Sequence, residues 1–81
     1  MTLKELLGVM KGSKYGNYPL VHIEDWGTES DVAGDFGYVD EVLAMENTND
    51  EYAFLLDAEV SHVDFSKSVG GELFLDIEVQ S

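Results

Sequence analysis

The chain has 81 residues, which is room for one domain with one modest core. Four basic and 17 acidic residues leave a formal charge of −13, and such a surface disfavours direct contact with nucleic-acid phosphates or anionic membranes. Cysteine is absent, which excludes a disulfide framework, a thiolate metal site and a cysteine nucleophile.

Hydrophobic residues make up 44% of the chain, too many for simple charge-driven disorder. From Tyr15 to Ser66 there is no lysine or arginine, while 13 carboxylates fall in the same stretch. Crowding like charges in a compact state destabilises it. The excess therefore serves a partner or solubility. No apolar run approaches the roughly 18 residues of a membrane span. Lys4 and Glu5 interrupt any signal-peptide core at the start, so a cytoplasmic protein is expected.

Residues 2–11, TLKELLGVMK, predict a short helix. Thr2 and Glu5 have the spacing of a capping box, and Leu3, Leu6, Leu7 and Met10 form one apolar stripe. Residues 13–17 are a turn. Residues 18–25, YPLVHIED, predict a strand with Leu20 and His22 on one face and Val21 and Ile23 on the other. A polar loop, 26–35, follows. Residues 36–45, FGYVDEVLAM, read as a second strand with imperfect alternation, and 46–50 as a turn. For 51–60 a helical turn over 50–56 is favoured, although Tyr52, Phe54, Leu56, Ala58 and Val60 also alternate as a strand would. Residues 58–66 start a strand, Gly70 and Gly71 turn the chain, and 72–80 close it. In this last strand Leu73, Leu75, Ile77 and Val79 alternate with Glu72, Phe74, Asp76 and Glu78, the pattern of a sheet covered on one side. The expectation is a single α+β domain, residues 1–81, with an N-terminal helix packed on an antiparallel sheet of about four strands.

Motifs for chemistry are weak. His22 and His62 lie 40 residues apart without metal-ligand spacing. ENTNDE (46–51) alternates oxygen ligands but lacks the glycine and distal glutamate of a calcium loop. The glycines match no phosphate loop, and no serine sits in a nucleophile elbow. Neither an enzyme nor a cofactor or metal is expected. Trp26, Tyr15, Tyr18, Phe36 and Tyr38 suit either a core or an interface, and the core is the more ordinary place for such bodies.

The opening TLKELL, then LLDAEVSHVDF and GGELFLDIEV as a closing pair of strands, give a layout that resembles small acidic proteins of Gram-positive prophages and phages. That loose group includes some anti-CRISPR proteins and the uracil-DNA glycosylase inhibitors, which mimic DNA. The resemblance carries over no functional residue.

The charge pattern points to a protein that presents carboxylates to the basic groove of a nucleic-acid-binding protein. Glu24, Asp25, Glu29, Asp31, Asp35, Asp40, Glu41, Glu46, Asp50 and Glu51 are the candidate partner-binding acids. Glu72 and Glu78, on the final strand, are expected to matter less. The alternative is an accessory module that self-associates, as a homodimer for example, through an exposed sheet edge or apolar patch.

Overall fold

The structure is a computed structural model that describes residues 1–14, 16–27, 32–48 and 50–81. Its elements in chain order are helix α1 (Leu3–Lys11), strand β1 (Leu20–Asp25), strand β2 (Ala33–Tyr38), helix α2 (Val39–Ala44), two 3₁₀ turns (Met45–Asn47 and Ala53–Asp57), strand β3 (Glu59–Lys67) and strand β4 (Leu73–Gln80).

Helix α1 starts where the capping box places it. Thr2 Oγ1 accepts from the Glu5 backbone N–H at 3.2 Å, and the Thr2 N–H donates to Glu5 Oε1 at 3.0 Å. The Thr2 N–H first, and then the Thr2 hydroxyl donating to the same Oε1 at 3.1 Å, hold the Glu5 carboxyl below its ordinary pKa. The helix buries Leu3, Leu7 and Met10. The residues before it are also pinned. Leu3 N–H donates to Ala58 O, Val60 N–H donates to Met1 O, and the Met1 ammonium pairs with Glu59. Lys4 reaches Glu46 at 2.7 Å and Lys11 reaches Asp40 at 3.0 Å, tying α1 to the second helical segment.

The four strands form one sheet in the order β2-β1-β4-β3. It is mixed, not antiparallel throughout: β1 runs parallel to β4, while the two outer pairs are antiparallel. The closing strand enters the middle of the sheet, beside β1. That is where a strand with four well-spaced apolar side chains buries the most. Leu75, Ile77 and Val79 from β4 join Val21 and Ile23 from β1 on the covered face. Leu3, Leu7, Val39, Val42, Leu55 and Leu56 pack against them from the helical layer. Each fully buried aliphatic side chain contributes about 1.5–3 kcal/mol relative to exposure.

The expected strand over 36–45 is corrected. Gly37 adopts φ 108°, which breaks the strand pattern. Beyond Tyr38 the chain coils into α2, whose first turn carries Asp40 and Glu41 at the positive end of the helix dipole. Val39 and Val42, three apart, are buried together, as one helix face requires. The turn over 53–57 buries Leu55 and Leu56, so the helical reading of that segment holds over the strand reading.

Two irregularities set which side chains share a face. Phe36 is an extra residue between the pairs Val21–Gly37 and His22–Asp35. Ser61 is an extra residue between Val60–Val79 and His62–Glu78. A bulge of this kind shifts the alternation by one.

Candidate functional site

Helices cover one side of the sheet. No described helix covers the other side, the open face, and its residues stand in rows across the strands. Asp35, His22, Asp76 and Asp64 form one row, from β2 to β3. Ala33, Glu24, Glu78 and His62 form the next. Tyr38, Leu20, Phe74 and Ser66 form a third, more apolar row beside the first. A shallow depression is lined by His22, Glu24, His62, Asp64, Asp76 and Glu78.

This face gathers five carboxylates and two imidazoles, and no lysine occupies any of its register positions. Glu24 neighbours Glu78, and Asp64 faces Asp76. The His22 ring joins two of the acids: Nδ1 lies 2.9 Å from Asp35 Oδ1 and Nε2 lies 3.5 Å from Glu24 Oε1. The hydrogen bond to Asp35 raises the His22 pKa above its ordinary value, against the opposing effect of burial. Glu24 and the charges of Asp35 and Asp76 add to the rise. Ser66 Oγ donates to Asp76 Oδ2 at 3.0 Å.

The candidate acids from the sequence divide into three groups. Glu24 and Asp35 lie on the open face. Glu29 and Asp31 lie outside the described residues. The others, Glu51 apart, have local work. Asp25 is withdrawn from any partner, with only 6% of its surface exposed. Its Oδ1 accepts from the Gly27 N–H at 2.8 Å and the Ser81 N–H at 3.1 Å, and Ser81 Oγ donates to Oδ2 at 2.6 Å. It ties the end of β1 to the last residue. A buried carboxylate is stable when donors surround it in this way.

Asp40 and Glu46 face Lys11 and Lys4. Glu41 accepts from the Tyr38 N–H at 3.2 Å, at the start of α2. Asp50 accepts from the Tyr52 N–H at 2.8 Å. These acids are partly neutralised or engaged in local hydrogen bonds, and Glu41 and Asp50 line a depression beside Asp35 at the β2 edge. Glu51 is exposed.

Asp64, Asp76 and Glu78, which are not among the candidate acids from the sequence, share this face with Glu24 and Asp35. Glu78, expected to matter less, is the register neighbour of Glu24. The signal was present in the closing strand: if Leu73, Leu75, Ile77 and Val79 are buried, then Asp76 and Glu78 share the opposite face. The aromatics also divide. Phe36 packs edge-on against Tyr52, with ring centroids 5.4 Å apart and planes at 82°. Trp26 and Tyr18 are not core residues, being 63% and 70% exposed.

Among the described residues no group of three or more His, Asp or Glu is arranged to hold a metal ion. No helix among them is long and apolar enough to cross a membrane. No family model, no curated protein and no solved structure matches the chain.

Proposed function

We propose that the protein is an acidic binding protein whose open sheet face occupies the basic groove of a nucleic-acid-binding protein, in place of DNA or RNA. One observation carries the reading. Glu24, Asp35, Asp64, Asp76 and Glu78 share one face without a lysine among them. Adjacent strands lie about 4.8 Å apart and same-face residues about 6.7 Å apart, so the two rows cover roughly 14 Å by 7 Å. Duplex DNA carries one charge per roughly 1.7 Å of axis, or about four over 7 Å. The charge density of the face is therefore of the same order as that of the polymer it would replace.

The arrangement also has a stability cost that folding alone does not require. Like charges placed side by side on neighbouring strands are destabilising. A groove lined with lysine and arginine would relieve that repulsion on binding. This is the mode of the DNA mimics found within the loose group of small acidic phage proteins that the sequence layout resembles, and on this reading the protein works in the cytoplasm with its target. The outer position of β3 in the sheet supports a second reading, a module that self-associates by strand pairing.

The test begins with recovery of the host partner by affinity capture. The recovered protein is then used in a competition assay with a labelled duplex at two salt concentrations. The acidic protein should displace the duplex, and less well at high salt. Glu24→Lys combined with Glu78→Lys should abolish displacement while the fold is kept. A recovered partner without a basic groove, or one that binds the double variant as tightly as the parent, overturns the reading.

A further inference from the structure

We propose that the cleft between Tyr18, Tyr38 and Glu72 takes up the guanidinium of an arginine side chain of the partner. The inference rests on the reading above and adds a point of attachment to it. The cleft lies at the end of the sheet where β1 and β4 begin and β2 ends. It has a volume of about 720 Å³, and the described residues that line it are Asn17, Tyr18, Tyr38, Gly70, Gly71 and Glu72. Ligand pockets ordinarily measure about 300–1,000 Å³.

Three short segments build the cleft, and each is held in place. Asn17 Oδ1 accepts from the Asp40 N–H in the first turn of α2. Pro19, next to Tyr18, is fully buried. Tyr38 pairs with Leu20, and its N–H donates to Glu41 Oε1. The 68–72 turn is closed by Gly71 N–H to Ser68 O at 2.9 Å, Ser68 N–H to Glu72 O at 2.9 Å and Glu72 N–H to Ser68 Oγ at 3.1 Å. Gly71 has φ 85°, a conformation that a side chain would strain, and with Gly70 it leaves this wall as bare backbone. A site held before binding loses little freedom on association.

The chemistry of the lining selects a cation. The Tyr38 hydroxyl donates to Glu72 Oε1 at 3.2 Å. The charge of Glu72 first, and then this hydrogen bond, raise the Tyr38 pKa, so the phenol keeps its proton and its hold on the carboxylate. No ion pair among the described residues engages Glu72. Tyrosine rings attract a cation, and a carboxylate accepts its hydrogen bonds. A guanidinium suits this set better than an ammonium. It is planar, stacks on a tyrosine while it forks onto a carboxylate, and is more weakly hydrated. A quaternary ammonium has no donor for Glu72 and is recognised by a cage of aromatic rings.

Charge and position assign the group to the partner. The chain has four lysines and no arginine, and a second copy would bring a further −13. Tyr38 shares a row with Leu20 and Phe74 on the open face, and Tyr18 and Glu72 precede Leu20 and Phe74 by two residues. The cleft thus continues the open face beyond its apolar row. Four residues separate Glu72 from Asp76, about 13 Å of strand. A basic groove that covers the acids of the face brings an arginine at its margin over the cleft.

The experiment uses the full chain, isotope-labelled for backbone amide and tyrosine ring spectra, in 0.15 M salt, where the Debye length is about 8 Å. The probes are tripeptides with blocked ends, in which glycines flank arginine, lysine or citrulline, the uncharged isostere of arginine. Tetramethylammonium is the fourth probe. The arginine peptide should shift the Tyr18 and Tyr38 rings and the amides of Gly70, Gly71 and Glu72. Lysine should bind at least about twofold weaker, and citrulline should not shift these signals. Tyr18→Ala and Glu72→Gln, both at exposed positions, should each weaken the arginine peptide roughly two- to fivefold, with the remaining amide spectrum unchanged. Tyr18→Ala should also weaken binding of the captured partner, which a purely structural Tyr18 would not do in a chain that keeps its fold. Shifts by the arginine peptide that are as large at His22, Asp76 and Glu78 as at the cleft would overturn the proposal in favour of diffuse charge attraction. Tighter binding of tetramethylammonium, or a Tyr18→Ala variant that holds the partner as tightly as the parent, would overturn it as well. Concentration-dependent shifts at the cleft in the free protein, with a dimer in sedimentation, would give the cleft to a second copy and overturn it. Weaker partner binding by Tyr18→Ala, in a parent that never displaces duplex, would support the arginine site and sink the mimic reading alone.

Discussion

Asp64 of β3 stands directly opposite Asp76 of β4 on the open face of the sheet. Nothing about the core requires this pair, because both side chains point away from it. Like charges so placed cost a few tenths to about 1 kcal/mol relative to a neutral pair. Glu24 and Glu78 repeat the relationship one row along, between parallel strands. The face is thus less stable than it need be, and the proposed function gives that cost a use.

Replacing Asp64 by Lys should separate stability from binding. The new cation faces Asp76 and approaches Glu78, so the melting temperature should rise, by an amount equivalent to roughly 0.2–1 kcal/mol. Partner binding, measured by duplex competition, should fall at least about tenfold. A variant that is less stable and binds normally would show that the acids of this face are structural.

Asp25→Ala should behave in the opposite way. It removes the acceptor for Gly27 N–H, Ser81 N–H and Ser81 Oγ. Stranding buried donors costs about 1–3 kcal/mol. Chemical denaturation should report that loss, while duplex competition at a temperature where the variant remains folded should be unchanged. Gly27→Ala should also destabilise, since a Cβ there would lie 2.8 Å from the Ser81 backbone O and 3.0 Å from Asp25 Oδ1.

Raising ionic strength from about 0.01 to 0.15 M shortens the Debye length from about 30 to 8 Å. The melting temperature of the parent should rise over that range, because screening weakens repulsion across the open face. The Glu24→Lys/Glu78→Lys variant should show a smaller rise. An equally steep rise in both would place the dominant repulsion elsewhere on the surface.

The pH dependence has a defined sign. His22 has its pKa raised above the ordinary imidazole value of about 6.5, first by its hydrogen bond to Asp35. A raised folded-state pKa gives stability that is fully present below about 6.5 and is lost as pH rises through the raised value. Between about pH 6 and 8, where free carboxylates stay ionised, thermal melts of the parent should therefore show falling stability with rising pH. His22→Gln should flatten that slope. An unchanged slope in the variant would remove His22 as its source.

Leu75→Ala or Ile77→Ala should cost about 2–5 kcal/mol, the range for truncating a core aliphatic side chain. Phe74→Ala should cost less, because Phe74 lies on the open face between Leu20 and Ser66 and is only partly buried. Equilibrium denaturation of the three variants checks the order. A reversed order would mean that the open face is covered in the free protein.

Several elements were legible locally. The Thr2–Glu5 capping box and the Leu3, Leu7, Met10 stripe are contained within ten residues, and the structure places α1 on them. The alternation of 72–80 reappears as β4 with Leu75, Ile77 and Val79 buried. Helix α2 also had its signals, Val39 and Val42 three apart behind two acids. They were outweighed by the short apolar run that contains them, where strand and helix periods look alike. In β3 strict alternation sets Val60 on the side of His62 and Asp64. The bulge at Ser61 moves it to the side of Val63 and Phe65. A one-residue slip of this kind is decided by cross-strand pairing, which a single strand's sequence does not contain.

The sequence by itself determined the charge of −13, the basic-free stretch from Tyr15 to Ser66, the N-terminal helix and the one-sided closing strand. These are sums over residues or patterns within a few turns, so no distant contact is needed to read them. Only the tertiary structure decided that β4 lies parallel to β1 in the middle of the sheet. That pairing joins segments more than 50 residues apart, and with it Glu24, Asp35, Asp64, Asp76 and Glu78 become neighbours. It also removed Asp25 from the surface and gave Asp40 and Glu46 to lysines of α1. Burial and ion pairing depend on which elements pack together, and the same carboxylate is a buried strut or part of the open face according to which side of its strand meets the core.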